Sequence, residues 1–206
     1  MTAKGKRHIF VDLDQTLIDS TRLTYPVIEP LMKAFVTPRA KSRGLDPEHA
    51  LREARRQGGG ITAVGLRSLF DIDPKEFLRA THPVGLAQRT VARNYGVMAW
   101  FAAAPGPCWI ASDGPLHYCE EVVDALGISR WVRGIFSLDT MRFIPKASPA
   151  YFTELKKRTG VAPLNGVLVD DNLSCLRVAR RAGLATVQVG KPGRLPAHAS
   201  FSSSSW

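Results

Sequence analysis

The chain has 206 residues, 45% of them hydrophobic, with 28 Lys and Arg against 18 Asp and Glu for a formal net charge of +10. That length admits one domain or a core with an insertion, and that apolar content excludes a disordered polymer. No apolar run approaches the ~18 residues needed to span a bilayer, and the basic start Met1–Arg7 leads into His8-Ile9-Phe10-Val11-Asp12, too short an apolar stretch for a secretion signal.

The charge favours anionic partners such as phosphorylated metabolites or nucleotides. Arg52, Arg55 and Arg56 share one predicted helix face, but no finger, zipper or RNA-binding pattern accompanies them, so they read as a solvated surface and not as a nucleic-acid site. Cys108, Cys119 and Cys175 have no close pairing and provide neither a zinc half-site nor a disulfide framework, which fits a reducing cytoplasm.

In chain order, His8–Leu13 is short, apolar and rich enough in β-branched residues for a buried strand. Pro26–Val36, Pro47–Gln57, Ile61–Phe70 and Pro74–Ala80 then read as short helices, two of them opened by Asp46-Pro47 and Asp73-Pro74 caps. Gly58-Gly59-Gly60 reads as a flexible join, and Leu86–Ala103 as one longer helix. From there strands and helices alternate: strands at Pro107–Ser112, Ile135–Asp139, Gly166–Asp170 and Leu184–Val189, helices at His117–Leu126, from Pro149 to near Gly160, and from Leu173 to Ala182. Such alternation makes a parallel sheet with right-handed crossovers, an α/β Rossmann-like core. The helical stretch is an insertion after the first strand, so the expected division is a core of residues 1–17 and 97–190, a helical cap of 18–96, and a flexible tail of 191–206.

Ligands of such sheets bind beyond the carboxyl ends of the strands, where Asp12, Ser112, Asp139 and Asp170 all fall. Hydrolysis of a phosphate monoester needs a nucleophile, a proton donor for the leaving alkoxide, and cations for the phosphoryl oxygens. In Asp12-x-Asp14-x-Thr16, the Asp12 carboxylate can attack phosphorus while Asp14 protonates the leaving oxygen and later deprotonates water. Two adjacent acids, Asp170 and Asp171, repel unless a cation relieves them. With an Asp12 oxygen and the Asp14 backbone carbonyl they supply oxygen ligands for Mg²⁺, Asp171 directly and Asp170 through water. An EF-hand over Asp12–Leu23 fails, because Leu17 stands where glycine belongs and Leu23 where glutamate belongs. Ser112 and the N–H groups after it can hold a phosphate, and Lys146 can pair with both the phosphate and Asp12. No P-loop, dinucleotide fingerprint or nucleophile elbow is present.

Taken together, Asp12/Asp14/Thr16, Ser112, Lys146 and Asp170/Asp171 resemble, in order, the four motifs of the haloacid dehalogenase superfamily in its phosphatase branch. The resemblance implies a Rossmann-like core with a small helical cap, Mg²⁺ dependence, an aspartyl-phosphate mechanism, and phosphate binding by Ser112, Asp113 and Lys146. Gly65-Leu66-Arg67, Asp73–Phe77, Gly134–Asp139 and Pro145–Pro149 are similar to the pyrimidine 5′-nucleotidase group, which implies a pyrimidine nucleoside 5′-monophosphate as substrate. Asp113 stands where the family usually has Asn, Ala147 where it has proline, and Cys175 where it has an acid or amide supporting the metal ligands. A sugar phosphate, phosphoglycolate or vitamin-precursor phosphate is the alternative substrate, and a basic nucleic-acid-binding protein with a vestigial phosphatase core is the alternative class.

Overall fold

In the computed structural model, which describes residues 7–198, a five-stranded parallel sheet carries the fold. Its strands are β1 (His8–Val11), β2 (Cys108–Ala111), β3 (Val132–Phe136), β4 (Gly166–Asp170) and β5 (Ala185–Gln188), in the spatial order β3-β2-β1-β4-β5. β1 is central: Ile9 is in register with Cys108 on one side and Val167 on the other.

Period-two alternation assigns the strand side chains to two cores. Ile9, Val11, Ile110, Val167 and Val169 turn to one face, with Leu86, Val97, Val122 and Leu126. Those partners come from helices α6 (Leu86–Thr90), α7 (Tyr95–Ala102) and α8 (Leu116–Leu126). Phe10, Ala111, Phe136 and Leu168 turn to the other, under α9 (Pro149–Thr159) and α10 (Leu173–Arg181).

Between β1 and β2 lie α1 (Ser20–Leu23), α2 (Tyr25–Lys41), α3 (Pro47–Gln57), α4 (Thr62–Phe70) and α5 (Pro74–Thr81) before α6 and α7. The helical insertion has its own core, in which Val36, Ala54, Leu66, Phe70 and Phe77 meet. Asp46 caps α3 by accepting from His49 N–H at 2.7 Å, and Asp73 caps α5 by accepting from Lys75 N–H at 2.9 Å. The glycine triplet is a tight turn and not a loose join: Gly59 and Gly60 take φ of 63° and 101°, and a Cβ on Gly58 would stand 2.0 Å from the Ile61 carbonyl oxygen.

Four expectations need correction. The third strand ends at Phe136 instead of reaching Asp139, because Leu138 leaves the sheet to pack in the core of the insertion. The helix expected over Leu86–Ala103 is two helices, since Asn94 accepts from Val97 N–H at 3.1 Å and starts α7 afresh. Leu86, Ala87 and Val91 pack with the sheet and not with the insertion's own core. Asp139 does not reach the crevice; it accepts from Leu116 N–H at 3.0 Å and the Ser137 hydroxyl at 2.6 Å, fixing the start of α8.

Beyond β5 the chain returns to the core. Gly193 N–H donates to the Thr16 carbonyl at 2.8 Å, and Trp100 Nε1 donates to the Pro196 carbonyl at 2.8 Å. The described part of the expected tail is therefore anchored, while 199–206 lie outside the described residues. Among the described residues no helix is long and apolar enough to cross a membrane.

Candidate active site

The loop after β1 winds around one acceptor. The Leu13 carbonyl receives the N–H groups of Thr16, Leu17 and Ile18 at 3.2, 2.8 and 3.1 Å, and Gln15 takes a left-handed φ of 61° to permit it. This winding sends Leu13 into the core and sets Asp12 and Asp14 on the rim above the sheet.

Lys146 reaches the same rim from the loop between β3 and α9. Its backbone N–H donates to Asp113 Oδ1 at 2.9 Å, and its Nζ donates to Asp12 Oδ1 at 2.5 Å and to the Ala111 carbonyl at 3.1 Å. Nζ also lies 2.8 Å from Asp170 Oδ2. Asp170, at the end of β4, accepts from Asn172 N–H through Oδ1 at 2.8 Å. Thr16 joins the two acidic loops: its buried hydroxyl accepts from Asp171 N–H at 3.1 Å and lies 3.5 Å from Asp171 Oδ1. Ser112 closes the turn after β2 by accepting from Gly114 N–H at 3.0 Å. The structure thus brings Asp12, Asp14, Ser112, Asp113, Lys146, Asp170 and Asp171 to one rim.

Charge is unbalanced there. Asp12, Asp14, Asp113, Asp170 and Asp171 surround Lys146, and no second Lys or Arg is buried among the described residues. Burial pushes the Asp12 carboxyl well above the usual range; Lys146 opposes this, and the neighbouring Asp170 adds to it. Burial likewise raises Asp14, against hydrogen bonds from Tyr118 and Ser20, and raises Asp113 and Asp171. For Lys146 burial works against the charge, yet Asp12 and Asp170 outweigh it and hold the ammonium protonated.

The acids fit a cation. Ligand atoms of Asp12, Asp170 and Asp171 lie within 4.8 Å of one another, and the buried Asp170 Oδ2 has no aligned hydrogen-bond donor. A hard divalent ion takes such oxygen ligands and relieves their repulsion.

A cleft of about 150 Å³ opens beside this rim, with Asp14, Asp113 and Gly114 on the sheet side and Tyr25, Ile28, Arg55, Thr62, Phe77 and His82 on the helical side. A neighbouring hollow of about 260 Å³ shares Glu29, Met32, Arg55 and Thr62 with it. Tyr118, absent from the sequence reading, donates to Asp14 Oδ1 at 2.7 Å. Its place in the apolar spacing of α8 gives no sign of that role.

No protein-family model matches the sequence, nor does any curated protein. Solved structures do. CbbY from Rhodobacter sphaeroides, in complex with phosphate, is 20% identical over 97% of this chain and 92% of its own, with a TM-score of 0.61. The fold is the haloacid dehalogenase fold. A family enzyme from Bacteroides thetaiotaomicron, in complex with magnesium and inorganic phosphate, is 16% identical over 95% of this chain and 99% of its own, at TM-score 0.56. L-2-haloacid dehalogenase from Xanthobacter autotrophicus is 16% identical over 89% of this chain and 77% of its own, at TM-score 0.56. Both phosphate-binding and dehalogenating enzymes share this architecture, so the choice between them falls to the side chains of the rim.

Proposed function

We propose that the chain is a divalent-metal-dependent phosphohydrolase, with Mg²⁺ as the metal, acting on a small phosphate monoester through an aspartyl phosphate on Asp12. The observation that carries this reading is the buried Lys146, bonded to Asp12 and ion-paired with Asp170, with Asp14 on the same rim. A dehalogenase has no need of Asp14 as a second acid, and its carboxylate substrate does not call for a metal.

Asp12, Asp170, Asp171 and the Asp14 carbonyl are the groups that hold the ion, which when bound neutralises phosphoryl oxygens. Lys146 keeps Asp12 aimed and adds positive charge at the phosphate, while Ser112 and the turn after it give hydrogen bonds to the phosphoryl group. An Asp12 oxygen forms a bond to phosphorus as the phosphorus–ester oxygen bond breaks. The departing electron pair rests on the ester oxygen, which takes the proton from Asp14. Water then bonds to phosphorus, the Asp12–phosphorus bond breaks, and the water proton passes to Asp14.

The helical insertion acts as a cap over the rim and chooses the substrate. A pyrimidine nucleoside 5′-monophosphate is the first candidate, by resemblance, and the cleft together with its neighbouring hollow gives it room. A compact ester such as a sugar phosphate is the second, favoured because the cleft alone is smaller than the roughly 300–1,000 Å³ usual for ligand pockets. Phosphate release from a panel of nucleotides and sugar phosphates, with and without Mg²⁺, tests the proposal. Metal-dependent turnover abolished by Asp12→Asn is the expected result. Salt-sensitive nucleic-acid binding without turnover would overturn it.

A further inference from the structure

Tyr118 is a buried polar group at the site that the reaction just described does not employ. It is 1% exposed, and the hydroxyl has two neighbours: Asp14 Oδ1 at 2.7 Å and Thr24 Oγ1 at 3.2 Å. A phenol has one proton, and the carboxylate is the stronger acceptor. Burial, with the charge of Asp14 next to it, pushes the phenol pKa well above its ordinary value, so the proton stays on Tyr118.

The tyrosine is held by a helix that cannot easily shift. Asp139 receives the Leu116 N–H, the His117 ring lies 2.7 Å from the His82 carbonyl, and Glu121 receives the N–H groups of Gly85 and Ala87 at 2.6 and 3.2 Å. These bonds tie the first two turns of α8 to the sheet side and to the segment leaving α5. Asp14, by contrast, sits on a loop wound through the left-handed Gln15, and of its two carboxylate oxygens only Oδ1 receives the Tyr118 hydroxyl.

We infer that Tyr118 is a positioning residue for Asp14: it pins Oδ1 and thereby leaves Oδ2 as the oxygen that carries the proton to and from the reacting ester. The role rests on the phosphohydrolase reading. It makes no new bond in the reaction; the proton moves from Asp14 Oδ2 to the leaving oxygen, and the Tyr118 proton remains where it is.

Leaving-group dependence separates positioning from packing. An alkyl phosphate departs as a strongly basic alkoxide and needs the proton, whereas p-nitrophenyl phosphate releases a phenolate that does not. In Tyr118→Phe, which keeps the ring and its contacts, kcat/KM should fall about tenfold for the alkyl ester, a part of the full acid–base contribution, and change by less than about twofold for the aryl ester. Asp14→Asn should show the same selectivity with a larger loss. Equal losses on both esters, or no loss on either, overturn the positioning role while wild-type turnover keeps the phosphohydrolase reading. A wild-type protein that releases phosphate from neither ester overturns both. Should Tyr118→Phe fold poorly, 3-fluorotyrosine at 118 preserves the shape and strengthens the donor; a rate on the alkyl ester identical to wild type then overturns the role.

Discussion

Lys146 and Asp12 are a buried pair, and the consequences of removing either differ. Lys146→Met strips Asp12 and Asp170 of their counter-charge, so the variant should lose about 3–5 kcal/mol of stability in denaturant titration, and its turnover should fall below detection. Asp12→Asn relieves repulsion instead; it should fold at least as well as the wild type and yet release no phosphate. Asp14→Asn should slow turnover on an alkyl ester by about 10²–10⁴ while Mg²⁺ affinity, read by calorimetry, stays within a few-fold, because a backbone carbonyl is the proposed ligand there. Loss of metal binding in that variant would remove the assignment. His82 gives a pH prediction. Burial lowers its pKa from 6.5 to about 4, so the unfolded chain takes up a proton between those values that the folded chain refuses. Stability from this group is full above pH 6.5 and is lost as pH falls to 4, by at most about 3 kcal/mol and less where the cleft lets water reach the ring. His82→Gln should flatten that part of the profile, measured as the difference from wild type in denaturant midpoints between pH 7 and 4.5.

At the level of elements, the insertion depends on a close helix crossing. A Cβ on Gly65 of α4 would stand 1.8 Å from the Ala54 carbonyl oxygen of α3, so no side chain fits. Gly65→Ala should cost about 1–3 kcal/mol by forcing the two helices apart, read as a lowered Tm. The sequence showed this glycine without its reason. What was legible followed one rule: β1 and β4 are apolar runs that end in acid, and their Asp12, Asp170 and Asp171 land where a parallel sheet puts its ligands. Ser112 and Lys146, read as a phosphate holder and as a partner of Asp12, reach the same rim. The failures come from residues that serve two structures. Leu138 extends the apolar run of β3 but belongs to the insertion, and Asn94 interrupts a continuous apolar spacing by capping a new helix. Tyr118 was hidden for the same cause, since its ring obeys the helical period while its hydroxyl serves the site.

For the whole molecule, metal binding should appear as stability. An ion that binds only the folded chain at a hundredfold excess over its Kd adds about 2.7 kcal/mol, which for a chain of this size raises Tm by about 5–10 °C. Mg²⁺ should produce that shift in the wild type, and Asp171→Asn should abolish most of it. The central position of β1 carries a separate consequence, for synthesis. Its two neighbours in the sheet come from Cys108 onward and from Gly166 onward, so the first strand made has no partner when it leaves the ribosome. The insertion's helices contact one another locally and emerge while β1 waits, although their core is completed only when Leu138 follows β3. Asp12 meets both Lys146 and Asp170 only after β4 has emerged, so the proposed nucleophile gains its full set of buried partners after every other strand that flanks it has been made. A chain arrested before Gly166 would leave β1 without its β4 neighbour and Lys146 without Asp170.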